Sequence, residues 1–320
     1  MNRRDCLRVL ALASMAGATA ARGDGRRRRV GFLSMDSNEP TAEEHAQTRR
    51  ILAEFGYVEG RDIEFVIRPT TSANIDEVAR QLAAGGFDVL ATVGTAATHA
   101  LQRATATIPI VTNVSDPVAS GFATSLARPG GNITGLSQAG SEAMVKEFEV
   151  LRELLPGLSR LAICLRPTAS SLEIARPLIR EAQRANIATE VFQVLELPSF
   201  EAAFKSLQSA RVRAAHLSGP RSRAESAAVA QLAIRMRVPI VTQDMEFVEA
   251  GALVSYEIYH RDPDRAQFAQ IDRILHGAKP ATLPFELPRD SRLALNRATA
   301  AALGIAIPRD LLLRANYVFG

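Results

Sequence analysis

The stretch 88–117, DVLATVGTAATHALQRATATIPIVTNVSDP, decides how this chain folds. It opens with an apolar run, DVLATV, that stops at Gly94. Residues 95–104 then carry apolar side chains at helical spacing, and Pro109 opens a second apolar run, PIVTNV, closed by Ser115-Asp116-Pro117. Short apolar runs bounded by Gly and Pro read as buried strands. A helix of about ten residues between two such strands is the connection of a right-handed βαβ unit on a parallel sheet.

The same rhythm extends in both directions. Upstream lie a strand at 30–34 (VGFLS), a helix at 41–55 ended by Phe55-Gly56-Tyr57, a strand at 63–67, and a helix at 75–84 stopped by Gly85-Gly86. Downstream, Gly130-Gly131 marks a turn before another strand, and a helix at 142–155 ends at Pro156-Gly157. The alternation then restarts, with strands at 161–165, 190–195, 214–217, 238–242 and 252–255 and helices at 172–185, 200–209 and 224–236. Two units of similar element order thus follow one another without a residue-level repeat. The chain has 320 residues, 47% of them hydrophobic and 22% charged, which is ample for two ordinary cores. The expected fold class is α/β, with two Rossmann-like lobes built on parallel sheets.

Parallel sheets bind ligands outside the carboxyl ends of their strands, and two facing lobes gather such loops into one crevice that closes by a hinge. The candidate ligand-binding residues therefore follow strands. In the first half these are Ser34, the turn Gly94-Thr95-Ala96, the pair Ser115-Asp116, and Ser137. Thr95 is expected at a helix N-cap, where open N–H groups favour an anion. Asp116, ahead of Pro117 as the first helical residue, is expected either to cap a helix or to bind a ligand group. In the second half the corresponding residues are Arg166, Ser218, Asp244 and Tyr256. Arg166 offers a fork to a carboxylate or simply faces solvent. Asp244 caps a short helix or takes a ligand ammonium. Tyr256 stacks on a ligand or packs in the hinge.

The N-terminus reads as a leader. MNRRDCLR is followed by the short apolar run VLALASMAGATA, with Ala18, Thr19 and Ala20 as a small-x-small site. Residues 1–20 are expected to be a secretory signal peptide; Arg3-Arg4 fits the twin-arginine type, and an ordinary Sec signal is the alternative. Residues 21–29 are expected to form a basic tether. Much of the net charge of +4 collects ahead of the first strand, at Arg3, Arg4, Arg8 and Arg26 to Arg29, which argues against nucleic acid as a partner. No stretch is long and apolar enough to span a bilayer. Loss of Cys6 with the leader leaves Cys164, in the apolar run LAIC, as a packed core thiol.

Catalytic and cofactor patterns are missing. The histidines 45, 99, 216, 260 and 276 are scattered without metal-ligand spacing, so no metal is expected. Gly135 to Gly140 is one residue too long for a nucleophile elbow. Neither GxGxxG after a strand nor GxxxxGK[ST] occurs, so no cofactor is expected and the chain is read as a non-enzyme. With no Trp and 5% aromatic residues, a sugar-stacking cleft would be poorly supplied.

Several stretches carry a family resemblance: FGYVEGRDIEF (55–65), ATATIPIVTNVSDPVASGFATSLARPGGNITGLS (104–137), EAGALVSY (249–256), and the tail ILHGAKPATLP followed by LGIAIPRDLLLRA. They resemble the ABC-transporter substrate-binding proteins, in the group that includes TrpX-like tryptophan receptors. The resemblance runs from about Val30 to the end. It implies a type I periplasmic-binding-protein fold, whose lobes are joined by a multi-crossover hinge. It places lobe one at 30–137 plus about 257–282 and lobe two at 138–256 plus about 283–320. It also implies a small ligand in the interlobe cleft, an amino acid or small organic acid, with Thr95, Asp116, Asp244 and Tyr256 at cleft loops and hinge. An ABC permease is the implied partner, the location periplasmic, and the protein a monomer. The chain departs from the family at Glu257, where Gly usually follows Ser-Tyr, and after the first strand at Ser34-Met35-Asp36. A ligand-sensing two-lobed regulator and an unrecognised α/β enzyme are the alternatives; the regulator would need a DNA-reading domain ahead of Val30, and the enzyme a nucleophile–base or metal set.

Overall fold

The computed structural model describes residues 26–36, 38–167, 170–209, 213–218 and 223–320. The expected leader, with Arg3, Arg4 and Cys6, lies outside the described residues, as do Ser37, Thr168 and residues 219–222.

The first sheet contains β1 (Arg28–Ser34), β2 (Ile63–Pro69), β3 (Val89–Val93), β4 (Ile110–Val114) and β5 (Ile133–Ser137). Their order is β2-β1-β3-β4-β5, and every pairing is parallel. The stretch 88–117 supplies β3, the helix Thr95–Ala104 and β4. Strand β1 begins two residues before Val30. Arg29 donates its backbone N–H to Asp88 Oδ2 at 2.7 Å and its Nε to Glu64 Oε2 at 3.0 Å, which draws the end of the basic run into the sheet.

Helices cover both faces, as continuous apolar strands require. Ile75–Ala84 and Thr95–Ala104 bury Val78, Leu82, Ala97 and Leu101 against Leu33, Leu90, Ile110 and Val114. On the other face lies Ala42–Glu54, opened by a capping box between Thr41 and Glu44. Beside it packs a late arrival, Pro263–Leu275, whose Phe268 and Ile271 meet Val30, Val89 and Val111.

The second sheet contains β6 (Arg160–Leu165), β7 (Ala188–Gln193), β8 (Arg213–Leu217), β9 (Ile240–Thr242), β10 (Val254–Tyr259), β11 (Asp290–Asn296) and β12 (Tyr317–Phe319), in the order β12-β11-β10-β9-β8-β6-β7. One face packs on Gly140–Leu154 and Ser171–Arg184 through Phe148, Leu151, Leu178 and Ile163. The other packs on Leu197–Ser206, Arg223–Arg235 and Met245–Glu249 through Phe200, Phe204, Val229 and Phe247. Cys164 is fully buried in that second core.

One pairing departs from the expected parallel arrangement: β10 and β11 are antiparallel. The reason is the hinge. Strand β10 leaves the second lobe toward Pro263–Leu275 on the first, and β11 brings the chain back, so neighbours run in opposite directions. The chain passes between lobes three times: from β5 to Gly140–Leu154, from β10 to Pro263–Leu275, and from the segment around Glu286 to β11. That last segment is fixed beside β5, where Ser137 donates its N–H to Glu286 O at 2.9 Å and Glu286 donates to Gly135 O at 2.9 Å.

Candidate functional site: a polar cavity at the hinge

Parallel register brings the carboxyl ends of β1, β3, β4 and β5 to one edge, so Ser34, Gly94, Ser115 and Ser137 lie along it. The ends of β6, β8 and β9 do the same for Arg166, Ser218 and Asp244 in the second lobe. The two edges meet at the hinge, where Gln243 donates Nε2 to Gly140 O at 3.2 Å.

Several loop residues are committed to local structure. The N-cap of Thr95–Ala104 is Gly94, not Thr95. Gly94 takes φ 92°, a turn in which a side chain is strained, and Thr95 becomes the first helical residue. Residues 117–121 form a turn instead of a helix. Asp116 holds that turn: Oδ1 accepts the N–H groups of Val118 (3.1 Å) and Ala119 (3.0 Å), while Oδ2 accepts the Ser141 hydroxyl at 2.6 Å. The carboxylate thus ties the β4 loop to the helix that begins the second lobe. Asp244 caps Met245–Glu249, accepting from Glu246 N at 2.9 Å and Phe247 N at 3.4 Å.

A cavity of about 360 Å³ opens between the edges on the hinge side. The first lobe contributes Asn113, the crossovers contribute Gln138, Ala143, Glu257 to His260 and Pro263, and the second lobe contributes Gln243 and Arg292. A second hollow of about 390 Å³ shares Gln138, Gln243, Glu257 and Arg292 and adds Thr242, Asp244, Met245 and Glu246. Both fall within the roughly 300–1,000 Å³ of small-molecule sites. The wall is polar and largely pre-bonded. Arg292 donates Nε to Glu257 Oε2 at 2.5 Å, and its guanidinium carbon lies 4.8 Å from the centroid of the Tyr259 ring. The Glu257 carboxylate beside it, by hydrogen bond and by charge, raises the Arg292 pKa against the opposing effect of burial. His260 Nε2 lies 2.9 Å from Ser137 O, joining the first crossover to the second; since a carbonyl only accepts, the ring nitrogen donates.

Of the residues singled out from sequence, Asp244 lines these hollows. Ser34, Gly94, Thr95, Ala96, Ser115, Asp116 and Ser137 follow or end strands at the first lobe's edge, Arg166 and Ser218 at the second's. Arg166 Nε is buried with no partner among the described residues. Tyr256 is elsewhere: successive strand residues point to opposite faces, so with Glu257 turned to the cavity, Tyr256 packs on the far core beside Lys146 and Arg314. Gln243 stands beside Asp244 in the loop after β9 and lines both hollows, whereas Asn113, Gln138, Tyr259, His260 and Arg292 lie outside the residues that the sequence nominates for binding. For Asn113 a signal existed, since an amide inside an otherwise apolar strand needs a reason.

Among the described residues, no group of three or more His, Cys, Asp or Glu side chains is placed to hold a metal ion, and no helix is long and apolar enough to cross a membrane.

Two α/β lobes meeting over a polar cavity beside three crossovers have the architecture of a two-lobed binding protein. Residues 45–319 match the family described as ABC transporter substrate binding protein, and the chain belongs to that family. It is 24% identical over 264 residues to a tyrosine-binding protein of Clostridioides difficile (strain R20291), covering 79% of this chain and 74% of that one. Its fold is similar to a conserved domain protein from Vibrio cholerae (TM-score 0.75, 24% identity, 92% of this chain and 100% of that chain). It is also similar to an ABC domain in complex with L-Trp from Streptococcus pneumonia (TM-score 0.73, 23% identity, 92% and 100%).

Proposed function

We propose that this protein is the extracytoplasmic receptor of an ABC importer. It takes a small solute into the interlobe cleft, closes about the hinge, and presents the closed form to a permease. The observation that carries this reading is the cavity itself, built from both lobes and the crossovers, so that a molecule within it touches both halves. A ligand that contacts both lobes when closed and one when open shifts the equilibrium toward closure by that difference in affinity.

The ligand class is an amino acid or a small organic acid, and relatives named for tyrosine and crystallised with L-Trp support the former. The edge residues Ser34, Gly94, Thr95, Ala96, Ser115 and Ser137 contribute hydroxyls and backbone N–H groups, with Arg166, Ser218 and Asp244 opposite. Asp116 acts through its turn and through Ser141. No chemistry is performed on the solute, and the receptor works as a monomer. The leader-like residues 1–20 support export to the periplasm.

Thermal-shift and calorimetric screening of the exported protein against amino-acid and organic-acid panels tests this. One solute bound per chain with a clear rise in melting temperature is expected. Binding of none, with turnover of a substrate instead, would contradict it.

A further inference from the structure

We infer that the hinge-side cavity receives an ammonium-type, hydrogen-bond-donating group of the solute, accepted by Asn113, and that the receptor discriminates against solutes whose polar groups are all carboxylates. This rests on the reading of the cleft as the solute site and narrows it.

The first observation is an unmet acceptor. Asn113 is 7% exposed, lines the cavity, and its Oδ1 has no hydrogen-bond partner among the described residues. A buried amide oxygen without a donor costs free energy, and an apolar residue of the same shape would remove that cost. Its neighbours on β4 show what packing alone would select, since Ile110, Val111 and Val114 are all fully buried. A sequence retains such a group where a ligand satisfies it.

The second observation is independent and electrostatic. Asp244, Glu246 and Glu257 present three carboxylates to the joined hollows against one guanidinium, that of Arg292, whose Nε is bound by Glu257. A carboxylate entering here would share the one guanidinium with Glu257 and lie near the charges of Asp244 and Glu246. Carboxylates therefore outnumber cations, and an N–H-bearing cation fits where an anion does not.

A matched pair of probes reads this directly. 4-Aminobutyrate and glutarate share one carboxylate and three methylenes and differ only in ammonium against carboxylate; L-glutamine and L-tryptophan extend the panel. By calorimetry on the exported protein, 4-aminobutyrate is expected to bind at least tenfold more tightly than glutarate. Asn113→Leu is expected to weaken the best-binding probe at least tenfold while leaving the ligand-free melting temperature equal or higher. Asn113→Asp, which keeps an acceptor, is expected to retain most of the affinity. Glutarate binding as tightly as 4-aminobutyrate, unchanged affinity in Asn113→Leu, or a marked fall in that variant's ligand-free melting temperature would overturn the inference alone. Failure of every probe, and of every solute in the amino-acid and organic-acid panels, to bind the wild-type protein would remove the receptor reading and this inference with it.

Discussion

Glu257 and Arg292 face each other across β10 and β11, Nε to Oε2 at 2.5 Å, at the point where the chain leaves the second lobe and returns to it. Both side chains are about one-quarter exposed, so solvent screens the pair only in part. Arg292 also stacks on Tyr259, which fixes the guanidinium plane against the cavity wall.

Arg292→Met is therefore expected to act on stability and selectivity together. Removing the cation leaves Glu257 at the cavity without its partner, and a loss of about 1 kcal/mol in urea unfolding is expected after discounting for exposure. Anionic solutes should bind more weakly still. Calorimetry with glutarate and with 4-aminobutyrate checks the second effect; improved glutarate binding would contradict it.

Asp116 is a strut, and its replacement should show as instability. Asp116→Ala removes the one oxygen that accepts two N–H groups and the Ser141 partner, so a loss of about 1–2 kcal/mol is expected by chemical denaturation. Asp116→Asn keeps one acceptor oxygen and should lose less. Equal losses in the two variants would count against the turn-holding role.

Gly135 on β5 is irreplaceable for a steric reason. With φ 143°, a Cβ there would lie 1.9 Å from Thr112 O. Gly135→Ala is expected to cost at least about 3 kcal/mol, in the upper range for single substitutions. Gly131, where an added methyl would meet nothing within 4 Å, is the control. Melting temperatures of the two alanine variants should separate widely.

The second lobe carries an unusual buried pair, His216 Nε2 and Glu147 Oε2 at 2.5 Å, with both side chains almost wholly inaccessible. Burial raises the Glu147 carboxyl from 4.5 to about 6, against the opposing pull of His216. The folded state thus holds a proton that the unfolded chain releases earlier. The stability from this group is fully present below the ordinary carboxylate range and is lost as pH rises through the raised value. Glu147→Gln should flatten that part of the stability–pH curve. An unchanged slope between pH 4.5 and 7 would refute the assignment.

The alternation of apolar runs and helices from Val30 to Ser255 was legible because strands such as β3, β4 and β6 are continuous buried apolar runs and Gly or Pro closely follows helices such as Ala42–Glu54, Ile75–Ala84 and Gly140–Leu154. Boundaries moved where long-range bonds decide them, as at Arg29. The last third was not legible locally. Pro263–Leu275 follows the second lobe in sequence yet packs on the first, and nothing within its own residues reveals which sheet Phe268 will meet. The cavity shows the same division. Asp244 could be found as a residue after a strand, but Gln138, Glu257 and Arg292 come together only through the three crossovers. Tyr256 illustrates the finest scale, because one step along β10 exchanges the cavity for the opposite face.

The most direct measurement of the central claim is small-angle X-ray scattering on the protein with and without a solute that binds in calorimetry. Binding between the lobes with hinge closure should reduce the radius of gyration, saturating at one solute per chain and lost in parallel with affinity in Asn113→Leu. Saturating solute that leaves the radius of gyration unchanged would contradict closure on a ligand between the lobes.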